Sequence, residues 1–185
     1  MQIVRPSRWV TQPWRNGGGI THEVLREGPA DAFTLRISVA DVAQAGPFSR
    51  FPGIERWITL LEGKGFTLHR GEVSRQIDTP FAPFRFSGGD DIECTLVEGP
   101  VRDLNVMFAP HAIGLELSAV VVREPIELAP APDATRLLVF VLDGRADLAG
   151  THLERHELLV AEARTLELSG PAIVLVIWTG PPDGR

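Results

Sequence analysis

The stretch ERWITLLEGKGFTL, residues 55–68, contains two short apolar runs separated by the turn-forming residues EGKG. Short apolar runs bounded by glycine and charged residues are typical of β-strands joined by a tight turn. The same plan recurs in TRLLVFVLDGRADL, residues 135–148. A weaker echo relates FRFSGGDDIECTLV, residues 84–97, to TLELSGPAIVLVIW, residues 165–178. Two copies of one β-unit predict a duplicated β-barrel.

The segments around this stretch alternate apolar and polar residues with the period of a strand. In FTLRISVA, residues 33–40, the apolar side chains share one face, and Arg36 and Ser38 lie on the other. Helical periodicity is almost absent, so the predicted fold class is all-β, a barrel or a sandwich. Further strands are predicted at 56–63, 65–71, 91–99, 103–108, 114–122, 135–144 and 171–180.

The two halves of the chain differ in the polarity of their predicted strands. Residues 111–185 are more uniformly apolar, while the strands within residues 1–110 carry more polar side chains. A small barrel keeps its interior apolar unless it binds something, because unpaired buried polar groups cost about 1–3 kcal/mol each. We therefore expect any chemistry to lie in an N-terminal lobe, 1–110, and a C-terminal lobe, 111–185, to have a structural role.

Composition and charge exclude several classes of protein. The chain has 185 residues and a net charge of −6, and its basic residues are scattered, which argues against a nucleic-acid partner. Because Cys94 is the single cysteine, the chain cannot form an internal disulfide, and we expect Cys94 to be a small buried residue. The first residues lack the apolar core of a signal peptide. The longest apolar run, residues 172–178, is shorter than the ~20 residues of a membrane span. We expect a cytoplasmic protein with no membrane partner.

Three long motifs in order carry a resemblance to a known family. They are PWRNGGGITHEV at 13–24, LRISVADVAQAGPFSRFPGIERWITLLEGKGFTL at 35–68, and FSGGDDIECTLVEGPVRDLNVMF at 86–108. Together they resemble the HutD/Ves family of bacterial proteins. The resemblance implies a bicupin, two fused jelly-roll lobes of the cupin type. It also implies a link to histidine utilisation, in which the family is thought to sense or buffer an intermediate such as urocanate or formylglutamate.

Polar residues pair on one face of several predicted strands in the first lobe. Alternation alone leaves open whether these pairs face solvent or a pocket, and the resemblance favours a pocket. A small anionic metabolite is the expected partner, with no cofactor. The predicted ligand-binding residues are Trp14, Arg15, Asn16, Gly17, Gly18, Thr21, Glu23, Arg36, Ser38, Phe48, Asp103 and Asn105.

These residue types suit a small carboxylate that also carries polar groups. Arg15 and Arg36 can hold a carboxylate in the two-pronged geometry that guanidinium groups favour. Glu23 and Asp103 can hold those arginines or accept a hydrogen bond from an imidazole or amide N–H. Asn16, Thr21, Ser38 and Asn105 can donate or accept, and Trp14 and Phe48 can form an apolar wall.

The triple glycine in PWRNGGGITHEV is predicted to be a turn at the pocket rim. A P-loop would need Lys followed by Ser or Thr after the glycines, and Ile20 stands there instead. A dinucleotide-binding fingerprint would need a helix after the glycines, whereas a strand-like segment follows. Glycine leaves backbone N–H groups unobstructed near a bound ligand, which fits a rim turn.

A metal site is not expected. Cupins commonly bind a metal through a His-x-His pair, and the corresponding window, PGIERWITLLEGKG, contains no histidine. The remaining candidate is THLERHE, where His152, Glu154 and His156 would share a strand face, although an exposed turn explains that segment better.

Two other functions remain open at this point. One is a metal-independent isomerase or lyase in which Glu23 or Asp103 acts as general base. The other is a protein-interaction module whose polar pairs lie on the outer surface. Cupin lobes often pair through edge strands, so a homodimer is plausible.

Overall fold

The computed structural model describes residues 1–182 and divides the chain into two compact units. The N-terminal unit is Trp9–Ala109, and the C-terminal unit combines Met1–Arg8 with the residues from Pro110 onward. The predicted lobe boundary at 110/111 lies beside this division, but it placed residues 1–8 in the wrong unit. Their strand pairs with a strand of the C-terminal unit. Residues 183–185 of the predicted second lobe lie outside the described residues.

The N-terminal unit consists of two antiparallel sheets. One has six strands in the order β2-β3-β4-β11-β6-β9, and the other has four in the order β5-β10-β7-β8. These strands are β2 (Val10–Pro13), β3 (Gly19–Glu27), β4 (Leu35–Val42), β5 (Gly46–Pro47), β6 (Glu55–Glu62), β7 (Phe66–Arg70), β8 (Val73–Ile77), β9 (Pro83–Ser87), β10 (Glu93–Leu96) and β11 (Val101–Phe108).

The C-terminal unit repeats this plan with a five-stranded sheet, β1-β17-β14-β19-β12, and a four-stranded sheet, β13-β18-β15-β16. A short 3-10 helix, Pro6–Arg8, follows β1. The strands are β1 (Gln2–Val4), β12 (Gly114–Val122), β13 (Ile126–Leu128), β14 (Arg136–Gly144), β15 (Ala146–Leu148), β16 (Thr151–Leu153), β17 (Leu158–Glu162), β18 (Leu166–Ser169) and β19 (Ala172–Gly180).

The predicted all-β fold class is confirmed, with one correction to the word barrel. Hydrogen bonding stops at the edge strands of each sheet, so each unit is a pair of sheets rather than one closed cylinder. Within the described part of the chain, no helix is long and apolar enough to span a bilayer.

Alternation of side chains builds a core inside each unit. In the N-terminal unit, Ile58, Leu60, Phe66 and Cys94 belong to one buried cluster, and Trp14, Phe48, Phe84 and Phe86 pack against it from partly buried positions. In the C-terminal unit, buried aliphatic side chains from both sheets, together with Trp178, form the corresponding cluster. Burial raises the pKa of the Cys94 thiol to about 12, consistent with its predicted role as a small buried residue.

Candidate functional site

The inner face of the six-stranded sheet in the N-terminal unit borders a cavity of about 520 Å³. The lining combines several polar or charged side chains with aromatic and aliphatic ones. The lining residues are Gln12, Pro13, Trp14, Arg15, Asn16, Thr21, Arg36, Ser38, Ala40, Pro47, Phe48, Ser49, Phe51, Arg56, Asp103, Asn105 and Met107.

Strand register explains why residues distant in sequence meet at this cavity. Asn105 on β11 lies opposite Ser38 on β4, and Met107 lies opposite both Arg36 on β4 and Arg56 on β6. Asp103 pairs with Ala40 one row further along the sheet. Because directly paired residues in a sheet point to the same face, alternate positions of β4, β6 and β11 form one continuous lining.

Arg56 is the most buried cation of this lining, with 7% of the residue exposed. Its Nε and Nη2 donate to Asn105 Oδ1 at 3.3 and 2.7 Å, and its Nη1 donates to the Ser49 carbonyl at 3.5 Å. The guanidinium carbon lies 5.1 Å from the ring centre of Phe48 and 4.9 Å from that of Phe86. Burial lowers the pKa of Arg56 to about 10, while the carboxyl of Asp103 opposes that shift.

Asp103 is a buried carboxyl at the same cavity, with 1% of the residue exposed. Its Oδ1 accepts a hydrogen bond from Asn105 Nδ2. Burial raises the pKa of Asp103 to about 7, although Arg56 and the Asn105 hydrogen bond work in the opposite direction. A carboxyl with this pKa exchanges a proton near neutral pH, which an ordinary surface aspartate does not do.

Arg36 lines the cavity, and Glu23 holds its Nε. The Arg36 Nε donates to Glu23 Oε2 at 3.0 Å, and the other carboxylate oxygen of Glu23 lies 3.2 Å from Arg26 Nε. Within residues 1–182, Nη1 and Nη2 of Arg36 form no hydrogen bond, so they can bind a ligand. Glu23 itself does not line the cavity.

The turn between β2 and β3 forms part of the rim, as the glycine-rich motif predicted. Trp14 Nε1 donates to Thr21 Oγ1 at 2.8 Å, and Asn16 Oδ1 accepts from the Gly18 amide at 3.0 Å. Gly19 packs too tightly for any side chain, since an added Cβ would lie 2.6 Å from the Asp41 carbonyl oxygen. These contacts fix the turn, while Arg15 at its tip is exposed and reaches the cavity.

The structure brings most of the predicted ligand-binding residues to one cavity. Those that line it are Trp14, Arg15, Asn16, Thr21, Arg36, Ser38, Phe48, Asp103 and Asn105. Gly17, Gly18 and Glu23 do not line it: the glycines shape the turn, and the Glu23 carboxylate is occupied by two arginines. The alternative reading, polar pairs on an outer surface, is wrong for Ser38, Asp103 and Asn105, which are all buried.

Sequence reasoning missed Arg56, although the sequence contains a signal for it. Arg56 is in phase with Ile58 and Leu60, which are buried, so alternation placed a charged side chain on an apolar face. A charged residue on a buried face needs a partner or a ligand. The other lining residues missed were Gln12, Pro13, Ala40, Pro47, Ser49, Phe51 and Met107.

The THLERHE segment has other partners in the structure. His152 Nδ1 lies 2.6 Å from Asp147 Oδ2, and Glu154 Oε2 lies 2.9 Å from Arg145 Nε. Among the residues described, no group of three or more metal-ligating side chains converges on a point.

The fold and the cavity define a class: a two-unit, cupin-like protein with an arginine-lined pocket in its N-terminal unit. A bacterial pirin from Escherichia coli, solved with nickel(II), shares this fold at a TM-score of 0.73 and 12% identity, over 98% of this chain and 99% of that one.

The chain belongs to the HutD family, whose sequence profile matches residues 7–176. The structure of HutD from Pseudomonas fluorescens SBW25 is similar at a TM-score of 0.86 and 31% identity, covering 97% of this chain and 98% of that one.

Two curated relatives support the same assignment. An uncharacterized 21.2 kDa protein from the hutC 3′ region of Pseudomonas putida is 41% identical over 114 residues, 60% of each chain. Protein Ves of Citrobacter koseri is 43% identical over 96 residues, 51% of this chain and 50% of that protein. The chain thus spans about half to three fifths of the curated relatives it matches. It is a cupin-like protein of the HutD family.

Proposed function

We propose that the N-terminal unit binds a small carboxylate, of the urocanate or formylglutamate kind, and acts as a metal-free sensor in histidine utilisation. The observation that carries this proposal is Arg56, a cation buried at the cavity and, among residues 1–182, with no carboxylate in direct contact. Its link to Asp103 runs through Asn105, which separates the two groups. A buried arginine without an ion-pair partner favours an anion as the missing partner.

The arrangement of donors supports a planar carboxylate in particular. Each Nη atom of Arg56 carries two hydrogens and uses one of them for a protein partner, so an N–H remains on each for a ligand. Arg36 adds its own Nη groups beside the same Met107 position. Phe48 and Phe51 line the cavity close to the Arg56 guanidinium and offer apolar surface to the rest of the ligand.

The link to histidine utilisation is supported by the names of the relatives rather than by the cavity, and the sensing role is proposed on that link. A relative lies in the hutC 3′ region, and a solved relative carries the name HutD. Among the described residues that line the cavity, Asp103 is the one carboxylate and none is a histidine, a donor set that favours organic-anion binding over metal ligation.

Thermal unfolding with urocanate and with formylglutamate tests the proposal. Binding to the folded state alone stabilises a protein by about 2.7 kcal/mol when the ligand is present at 100 times its Kd. We expect a rise in Tm for the intact protein and none for Arg56→Met. Because Arg56 is buried, Arg36→Gln provides a second variant with the same expectation. Failure of a broad panel of small carboxylates to shift Tm or to give heat on titration would contradict the proposal.

A second candidate function is a metal-independent isomerase or lyase. It is favoured by Asp103, whose pKa of about 7 suits a general base and which lines the cavity beside Arg56. Glu23, the other predicted base, does not line the cavity. Turnover of a bound carboxylate that disappears in Asp103→Asn, with binding retained, would establish this function. Unchanged ligand after prolonged incubation with the intact protein would argue against it.

A further inference from the structure

The side chains that line the cavity include more positively charged groups than carboxyl groups. Arg15, Arg36 and Arg56 line it, and the carboxyl that lines it with them is Asp103. Glu23 compensates Arg36 from outside the cavity, through the bond to Nε. Arg15 and Arg56 therefore remain, within the part of the chain that the structure describes, without a carboxylate in direct contact.

These two arginines lie at different depths. Arg56 is 7% exposed and is fixed by Asn105 and the Ser49 carbonyl, so it forms the inner end of the cavity. Arg15 is exposed at the tip of the β2–β3 turn and forms part of the rim. An anionic group held by the buried Arg56 leaves the exposed Arg15 without a counter-charge, and a ligand with a second negative charge can satisfy both arginines.

The turn that carries Arg15 is shaped by its own contacts. Asn16 caps the Gly18 amide, and Gly17 takes a backbone φ of +70°, which residues with a side chain rarely adopt. Arg15 thus sits on a defined turn, and its long side chain remains available to a ligand. An arginine held in this way can discriminate between ligands because little further ordering of the backbone is needed.

We propose that the cavity is specific for a small dicarboxylate, with one carboxylate held by Arg56 and Arg36 and the second by Arg15 at the rim. The inference rests on the proposed carboxylate-binding function and narrows it to a class of ligand. It assigns Arg15 the role of selecting dicarboxylates over monocarboxylates of the same size.

The test compares ligands that differ by one charge and almost nothing else. Glutarate and its monoamide, glutaramate, form one pair, and N-acetylglutamate and N-acetylglutamine form a second. Titration calorimetry at low ionic strength should show each dicarboxylate binding about tenfold more tightly than its amide. The preference should shrink as salt is added, because the rim pair is exposed to screening.

Variants assign the preference to Arg15. Arg15→Gln should lower the affinity for the dicarboxylate to that of the amide and leave the affinity for the amide within about twofold. Arg123→Gln, an exposed site in the C-terminal unit, makes the same change in net charge and should keep the preference. A preference that persists in Arg15→Gln would overturn the role of that residue.

Two results would overturn the dicarboxylate inference while sparing the proposed function. One is equal or tighter binding of the amides. The other is tighter binding of inorganic phosphate than of either dicarboxylate, which would place both charges on one group. Absence of binding by all of these anions and by the panel above would instead remove the carboxylate-binding function itself.

Discussion

Asn105 controls how two buried ionisable groups face each other. Its amide oxygen accepts from Arg56, and its amide nitrogen donates to Asp103. The amide thus satisfies both groups while keeping the guanidinium and the carboxyl from closing a direct ion pair. A direct pair would use the N–H groups that the proposed ligand needs, whereas the Asn105 contact leaves one N–H on Nη2 of Arg56 unused.

Asp103 makes the stability of the protein depend on pH. Burial raises its pKa in the folded state to about 7 from an ordinary value of 3.8. Between these values the folded protein keeps the proton and the unfolded chain releases it, so the free energy of unfolding falls as pH rises. The contribution of Asp103 is fully present below about pH 4 and is lost through pH 7. The limiting slope is about 1.4 kcal/mol per pH unit.

Asp103→Asn tests this linkage, because asparagine keeps the acceptor for Asn105 but cannot ionise. Urea unfolding from pH 4 to pH 8 should show that the variant gains about 2–4 kcal/mol relative to the intact protein across that range. Asp31→Asn, at an exposed turn, should show no such gain. Parallel pH profiles for the Asp103 variant and the intact protein would contradict the prediction.

At the scale of strands, the alternation of apolar and polar residues predicted where the strands lie better than which face of each strand points inward. The predicted strands at 56–63, 103–108, 114–122 and 171–180 are confirmed by β6, β11, β12 and β19. Alternation groups side chains by face but does not say which face is inward, because that depends on the sheet packed opposite. The cavity could therefore be predicted as a set of polar pairs, and the family resemblance was needed to place them inside.

Glu23 shows why the remaining errors arose. Glu23 pairs with Ser38, a lining residue, so it lies on the face that alternation predicted, and the register shift comes after it, between Glu23 and Leu25. The Glu23 carboxylate pairs with Arg36 and Arg26 instead of lining the cavity. The shift brings Arg26 opposite Arg36, on the same face as Glu23. Such a bulge leaves little trace in a single sequence, so the ion pair of Glu23 with Arg26 could not be derived from the pattern alone.

The predicted internal repeat is present in the structure, but the second of its two segment pairs, residues 84–97 with 165–178, was aligned wrongly. A glycine of positive φ follows β6 directly and another ends β14: these are Gly63 and Gly144, which pack against the carbonyls of Pro100 and Pro171 respectively. Each of these prolines comes directly before the strand that pairs with β6 or β14, which is β11 or β19. Residues 165–178 therefore correspond to the segment ending in β11, not to residues 84–97. The contact between a glycine and a proline carbonyl, shared by the two units, identifies this correspondence.

Gly65, in the EGKG turn, yields a prediction at this scale. Its φ is +103°, and an added Cβ would lie 2.5 Å from the Ile77 carbonyl oxygen. Gly65→Ala should lower the free energy of unfolding by about 2–3 kcal/mol through strain and this clash. Gly71→Ala is the matched control: its φ of +57° is also positive, but its surroundings are open. Chemical denaturation should show a loss of about 1 kcal/mol there. Equal losses at both sites would mean that the packing contact contributes nothing.

At the scale of the whole molecule, the chain does not divide at a single point. β1 pairs with β17, and Ile3 packs against the core cluster of the C-terminal unit. Arg5 Nε lies 3.0 Å from Glu157 Oε1, a second link between the start of the chain and this unit. Dividing the sequence by its internal repeat assigns residues 1–8 to the N-terminal lobe, which is nearer in sequence. The pairing of β1 with the distant β17 leaves no local signal in the sequence.

Removal of residues 1–5 should therefore affect the C-terminal unit. The loss of β1 exposes one side of β17 and part of the core beneath Ile3, which should lower the stability of that unit by about 1–2 kcal/mol. Hydrogen exchange should show lost protection at the β17 amides that face β1, while β4 and β11 stay protected and the response to carboxylates is kept. Arg5→Gln, which removes the ion pair but keeps the strand, should leave β17 protected. Loss of protection centred on β4 and β11 instead would show that the first residues support the cavity unit, contrary to their pairing with β17.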